Sequence, residues 1–336
     1  MKKEEKYVNV YAHYHENEKS DNMKRWEKSL PAKWWEYRKK WEQSPKQLKI
    51  EPFPINLDVE ITGRCNLMCT ICSRTFKLKH GRLGKQGDME MSLFKRLVDE
   101  GAQNGLYALN LNGFGEPLLH KDLPEMISYA KKKGIIDTMF HTNATLLDEE
   151  KAAKLIEAGL DKIILSFDSP SREQYESIRV GAKYDEVVQN IRNFVRIRNE
   201  MGSMTPIVRL TMVVMKDNAG KKQDFLRMWK GMADIITFQD YLNLLKMDRD
   251  DRHAVQLVRH DNFVCPQLFQ RLQVYWDGLV APCCTEINRE LILGDVKKES
   301  IKSIWNGGKL NALRKMHLDG KWDSVPVCNR CELPYL

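Results

Sequence analysis

No apolar run in the 336-residue chain approaches the about 18 residues that a membrane-spanning helix needs. The opening segment, MKKEEKYVNVYAHYHENEKS, has none of the apolar stretch that marks a secreted protein. Internal repeats and low-complexity tracts are absent, which argues against solenoid arrays and disordered linkers. Cysteine is sparse, eight in all, and the eight fall in two groups. These absences predict a cytoplasmic chain with no membrane partner. In that compartment thiols stay reduced, and clustered cysteines serve metals or redox chemistry more often than disulfides.

What is present suits a soluble globular enzyme: 42% hydrophobic and 30% charged residues, enough apolar material for a sizeable core. The formal charge is +8, and residues 1–50 hold 13 Lys or Arg against 8 Asp or Glu. Four of the eight tryptophans, Trp26, Trp34, Trp35 and Trp41, lie there too. SLPAKWWEYRKKWEQSP reads as a helix with Pro31 in its first turn, ending before Pro45. Trp34, Tyr37 and Trp41 share one helical stripe, expected to pack on the main body. A basic, aromatic segment also raises nucleic-acid binding as a weaker reading.

From residue 53 an alternation of strands and helices begins. INLDVEI, LYALNLN, DTMFHT, KIILSF, IVRLTMVV and DIITFQ read as strands, separated by helical patterns, one of them broken near Gly181. Six strand–helix units in series predict an α/β fold with a parallel sheet, closed only partway into a TIM-like barrel. In such sheets chemistry gathers at the C-terminal strand ends. After about residue 255 the alternation stops. RLQVYWDGLVAPCC reads as a hairpin turning at Asp277-Gly278, followed by two short helices and VCNRC. The expected organisation is an N-terminal helical extension (1–52), a partial (β/α)6 barrel (53–255) and a small cysteine-rich region (256–336), where a metal site would supply needed stability.

EITGRCNLMCTICSRT sets Cys65, Cys69 and Cys72 directly after the first strand. Three thiolates on one tight loop can bind three irons of a [4Fe–4S] cluster and leave the fourth open. Zinc would want a fourth ligand that this loop does not supply. With GFGEP after the second strand, the motif resembles the signature of the radical S-adenosylmethionine (radical SAM) superfamily. That resemblance implies SAM chelated to the open iron and cleaved to a 5′-deoxyadenosyl radical. It implies that Gly115, Glu116 and Pro117 meet the SAM amino group, an ammonium in need of acceptors. It places Thr142 and Asn143, Ser166 and Asp168, and Arg179 at further polar contacts, Arg179 toward the SAM carboxylate. Met212 and Val213 would flank the adenine. In one departure, Ile71 stands where relatives usually have an aromatic.

Cys265, Cys283, Cys284, Cys328 and Cys331 remain. Adjacent side chains on an extended segment point to opposite faces, so one of Cys283 and Cys284 is spare. The layout resembles the shorter SPASM/twitch extension of the same superfamily, with one auxiliary [4Fe–4S] cluster; a structural zinc is the alternative. The resemblance makes Cys265, Cys283, Cys328 and Cys331 the ligands and leaves Cys284 free. Two outcomes then follow hydrogen abstraction. Loss of an electron gives a dehydrogenase, and return of a hydrogen atom from a thiol, here Cys284, gives an epimerase. The expected substrate is a polyhydroxylated small molecule such as a sugar, aminoglycoside or nucleotide sugar, its rings stacking on the aromatics. A peptide substrate is the alternative, and a non-catalytic iron–sulfur or zinc protein the reading from another class. The expected redox partner is a flavodoxin or ferredoxin.

Overall fold

The computed structural model describes residues 14–16, 19–243 and 251–335; most of the opening segment without an apolar stretch lies outside them. Strand β1 (Tyr14–Glu16) and helices α1 (Asp21–Ser29) and α2 (Ala32–Lys46) come first. Ser20 caps α1, its hydroxyl accepting from the Met23 amide at 3.0 Å. Pro45 does not end α2 as expected but lies inside its last turn. A proline there leaves the carbonyl four residues back without its usual donor. That carbonyl, on Trp41, instead accepts from Gln270 Nε2 at 2.7 Å.

Next come β2 (Asn56–Val59), α3 (Ser73–Lys79), α4 (Met91–Gln103), β3 (Ala108–Asn110), α5 (Leu123–Lys132), β4 (Asp137–Thr142), α6 (Glu149–Glu157) and β5 (Lys162–Ser166). They are followed by α7 (Arg172–Ile178), α8 (Tyr184–Glu200), β6 (Ile207–Val214), α9 (Lys222–Trp229) and β7 (Ile235–Asp240). The break expected at Gly181 separates α7 from α8, with φ at +100° there. Strands β2 to β7 pair in chain order, all parallel. Their alternation has a physical reading. Leu57, Val59, Leu109, Phe140, Leu165, Leu210 and Met212 join helix side chains such as Phe94, Phe194 and Trp229 in one core. The intervening residues, among them Asp58, Glu60, Asn110, His141, Ser166 and Arg209, face the inside of the curved sheet.

The hairpin is as read, β8 (Arg271–Val274) with β9 (Leu279–Ala281), and Gly278 at φ +91° in the turn. Beyond expectation, β8 also pairs in parallel with β2, from Asn56 with Arg271 to Val59 with Val274. The cysteine-rich region therefore extends the barrel sheet and ends in β10 (Gly294–Asp295) and helices α10 (Ile301–Asn306), α11 (Gly308–Leu318) and α12 (Pro326–Asn329).

The aromatic stripe packs where strands begin. Met23, Trp26, Trp34 and Tyr37 cluster with Ile55, Tyr107, Ala108, Ile207 and Ile235, and Tyr37 stacks on Tyr107 at 5.7 Å. These rings close the floor of the barrel, at the end opposite the cysteine loop, so they are not placed to stack on a substrate sugar there. Among the described residues, no helix is long and apolar enough to cross a membrane.

Candidate active site

The loop carrying Cys65, Cys69 and Cys72 leaves the C-terminal end of β2 and is held from two sides. The Met68 amide donates to Val180 O in the α7–α8 break at 2.9 Å, and the Thr70 amide to Ile178 O at the end of α7 at 2.8 Å. The Glu116 amide donates to Arg64 O at 2.7 Å. A Cβ on Gly115 would come within 2.1 Å of Thr62 O and 2.6 Å of Arg64 O, so backbone meets backbone there and only glycine fits. Cys72 is the N-cap residue of α3, and its amide donates to Cys69 O.

The strand-end residues assemble around this loop. Glu116 is buried, and its carboxylate accepts from Thr142 Oγ1 at 2.7 Å, the Asn143 amide at 2.8 Å and the Leu118 amide at 3.1 Å. Burial holds it above the usual carboxylate range, against those donors. Pro117 starts the short turn that follows. Asn143 Nδ2 donates to Asn66 Oδ1 at 3.0 Å, and Asn66 donates on to Thr145; the structure thus brings Asn66 and Thr145 to the predicted residues, and sequence reading missed both. The Asn of CNLMC was the available signal.

Arg179 NH2 lies 2.7 Å from Asp168 Oδ2, and Asp168 Oδ1 accepts from the Val213 amide at 3.0 Å. Burial raises the Cys69 thiol to about 11, opposed first by the Arg179 charge. Ser166 lies on the inner face, in register with Thr211. Met212 is a correction. It sits wholly within the sheet–helix core, because β alternation lets only one of two neighbours face inward. Val213 is that neighbour, packed with Ile71, Ile178, Met215 and Tyr241.

The second group meets at one apolar cavity lined by Cys265, Cys283, Cys328, Cys331, Phe263 and His317. Burial pushes all four thiols up. Cys284 is absent from this lining. Its thiol donates to Gln267 Oε1 at 3.7 Å, and burial holds it at about 11. His317 Nδ1 accepts from the Cys265 amide at 3.3 Å, which leaves Nε2 as the donor, 3.4 Å from Cys328 Sγ. Burial lowers His317 to about 4 and keeps it neutral.

Both places fit the groups they would hold. Arg179 Nε is buried with no hydrogen-bond partner among the described residues, a donor suited to a carboxylate. Buried thiols resist ionisation alone, and iron supplies the charge that makes them thiolates. Among the described residues, no three His, Cys, Asp or Glu converge on a single metal ion. A cubane spaces its sulfurs more widely than a zinc ion does. Trp276, two residues past β8, packs on the segment that carries the first loop: a Cβ on Gly87 would strike its ring at 2.5 Å, and one on Gly63 would sit 3.1 Å from it.

Residues 59–219 match the profile of the radical SAM superfamily, and residues 265–332 that of the SPASM iron–sulfur cluster-binding domain. The chain is 31% identical over 278 residues to a probable GTP 3′,8-cyclase of Methanothermobacter thermautotrophicus, covering 82% of this chain and 79% of that one. It is 24% identical to the tungsten-containing aldehyde ferredoxin oxidoreductase cofactor-modifying protein of Pyrococcus furiosus, over 82% and 87% of the two chains. Other relatives are matched over less than half their length, as with a probable GTP 3′,8-cyclase of Methanococcus maripaludis at 45%. In fold the chain is similar to BtrN in complex with AdoMet and 2-DOIA (TM-score 0.56, 19% identity, 82% and 92% coverage). It is likewise similar to SuiB of Streptococcus suis bound to its precursor peptide SuiA (TM-score 0.64, 14% identity, 89% and 74% coverage).

Proposed function

Since the chain belongs to the radical SAM superfamily and carries a SPASM iron–sulfur region, we propose that it abstracts a hydrogen atom from a polyhydroxylated small molecule and inverts the carbon by returning hydrogen from Cys284. Bound SAM and its [4Fe–4S] cluster supply the 5′-deoxyadenosyl radical that starts the reaction. Cys65, Cys69 and Cys72 would hold that cluster, and Cys265, Cys283, Cys328 and Cys331 the auxiliary one. Gly115, Glu116 and Pro117 with Thr142, Asn143, Ser166, Asp168, Arg179 and Val213 would line the SAM pocket. The working unit is then the barrel and the cysteine-rich region, with helices α1 and α2 as its floor and the cytoplasm as its compartment.

One observation carries the epimerase reading: Cys284 stays out of the four-cysteine cavity, beside it, as a neutral thiol. An S–H gives its hydrogen atom to a carbon radical, forming C–H and leaving a sulfur radical. One electron and one proton return that sulfur to thiol, the electron coming from a one-electron carrier protein. In the dehydrogenase alternative the carbon radical would give an electron to a one-electron acceptor, a role the group held by Cys265, Cys283, Cys328 and Cys331 would supply, its hydroxyl would lose a proton to solvent, and Cys284 is not needed. A peptide substrate is the second reading, supported by similarity to PqqA peptide cyclase of Granulibacter bethesdensis over 129 residues.

The test is turnover of candidate polyols in deuterated water. Epimerisation places one solvent deuterium on the inverted carbon, because thiol protons exchange. In Cys284→Ala, 5′-deoxyadenosine still forms while the epimer disappears. An oxidised product without deuterium, unchanged by that substitution, overturns inversion in favour of dehydrogenation.

A further inference from the structure

Residues 61–87 carry six Lys or Arg and no Asp or Glu, whereas residues 88–336 hold 35 of each. The positive excess thus has a second home besides the N-terminal segment, directly on the first cysteine loop. Helix α3 starts from Cys72 as its N-cap and is anchored inward: Arg74 Nε donates to Gly63 O at 3.1 Å and Lys77 Nζ to Ile287 O at 2.9 Å. Its far end and the following turn face solvent. Leu78 is 43% exposed, and Lys79, Arg82 and Lys85 are exposed around it. None of these three cations forms an ion pair with a described residue, although Arg64 in the same segment is paired with Asp88. Seven helical residues rise about 10 Å, so the patch stands one short helix from Cys72.

We propose that Leu78, Lys79, Arg82 and Lys85 form the docking face for an acidic one-electron carrier protein that reduces the cluster on Cys65, Cys69 and Cys72. The proposal rests on the radical SAM reading. Unpaired cations around an exposed apolar residue steer an acidic partner and give it something to seat on. The rigid, inward-anchored helix fixes the partner's distance from the loop. In the transfer one electron leaves a reduced flavin or iron–sulfur centre of the carrier and enters the cluster, and no covalent bond changes. Single-stranded nucleic acid is the less favoured occupant, because stacking platforms are needed and His80, itself lying against Phe76 at 4.1 Å, is the only exposed ring between residues 73 and 87.

The test compares the intact, anaerobically reconstituted chain with its Lys79→Glu, Arg82→Glu, Lys85→Glu triple variant. Cluster reduction is followed by absorbance with flavodoxin hydroquinone and, in parallel, with dithionite. With flavodoxin the variant's second-order rate is expected to fall about tenfold or more and to lose most of its salt dependence. With dithionite, reduction and 5′-deoxyadenosine formation stay at the wild-type level, which also reports a folded variant. An unchanged flavodoxin rate overturns the proposal, as does an equal loss with dithionite. Salt-sensitive binding of a single-stranded RNA that the variant abolishes, with flavodoxin kinetics intact, overturns it in favour of RNA. If the wild-type chain reduces its cluster but never cleaves SAM, the enzymatic reading fails, while the absorbance kinetics still decide the docking face.

Discussion

The guanidinium of Arg179 and the carboxylate of Asp168 lie 2.7 Å apart, at 9% and 0% side-chain exposure. Asp168 also accepts the Val213 amide, so one carboxylate ties α7, β6 and the end of β5 together. Its environment keeps Arg179 charged, the Asp168 charge outweighing the cost of burial together with its other neighbours.

Removing one partner of a buried pair leaves the other uncompensated. Asp168→Asn is expected to lower stability by about 3 kcal/mol, read by urea unfolding, and to weaken SAM binding, read by equilibrium dialysis. A change below about 1 kcal/mol, the range of exposed pairs, would show that the pair carries little.

Gly115→Ala places a carbon against Thr62 O and Arg64 O. Neither oxygen can yield without moving the cysteine loop. A loss of about 2 kcal/mol or more is expected, together with a sharp fall in SAM cleavage. Normal cleavage by a folded variant would show that the loop can shift.

Glu60 gives a pH signature. Burial pushes its carboxyl up to about 7, against the Phe114 amide and the Arg289 charge. Below about pH 4.5 it is protonated in both folded and unfolded chains. As pH rises to about 7 only the unfolded chain ionises, so stability falls through that window and levels off above it. The full effect is about 3 kcal/mol. Glu60→Gln should remove most of the fall in melting temperature that the wild-type chain shows between about pH 4.5 and 7, read by differential scanning calorimetry.

His317 donates from Nε2 toward Cys328 Sγ. A donor to a ligand sulfur favours the reduced cluster. In the proposed four-cysteine site, His317→Leu should therefore shift the auxiliary cluster to a more negative potential with iron content unchanged, and His317→Gln should restore part of the shift. EPR-monitored redox titration reads both.

Gln270→Ala removes the donor to Trp41 O at the Pro45 turn. A cost of about 1–3 kcal/mol is expected in unfolding, with SAM cleavage per folded molecule unaffected, because this contact lies at the barrel floor.

Much of this was legible in the sequence. Six parallel strands follow from alternation alone, and CNLMC with GEP located the loop and the strand end that packs on it. What escaped depends on distant partners. Pro45 looked like a helix stop because Gln270, which rescues its missing hydrogen bond, is 225 residues away. Asp277-Gly278 announces an antiparallel neighbour, yet nothing local announces that β8 will also lie along β2. Met212 and Val213 were read as a pair although a strand turns only one of them inward.

The parallel seam between β2 and β8 also sets how this chain can be shortened. Without β8, the strand that leads into Cys65 would become the open edge of the sheet, with a row of unpaired amides and carbonyls. A chain ending before Arg271 would thus keep only Cys265 of the four auxiliary cysteines and acquire a sticky border beside its first cysteine loop. The β8–β9–β10 border acts as a selvedge, the woven margin that keeps the rest of the cloth from fraying.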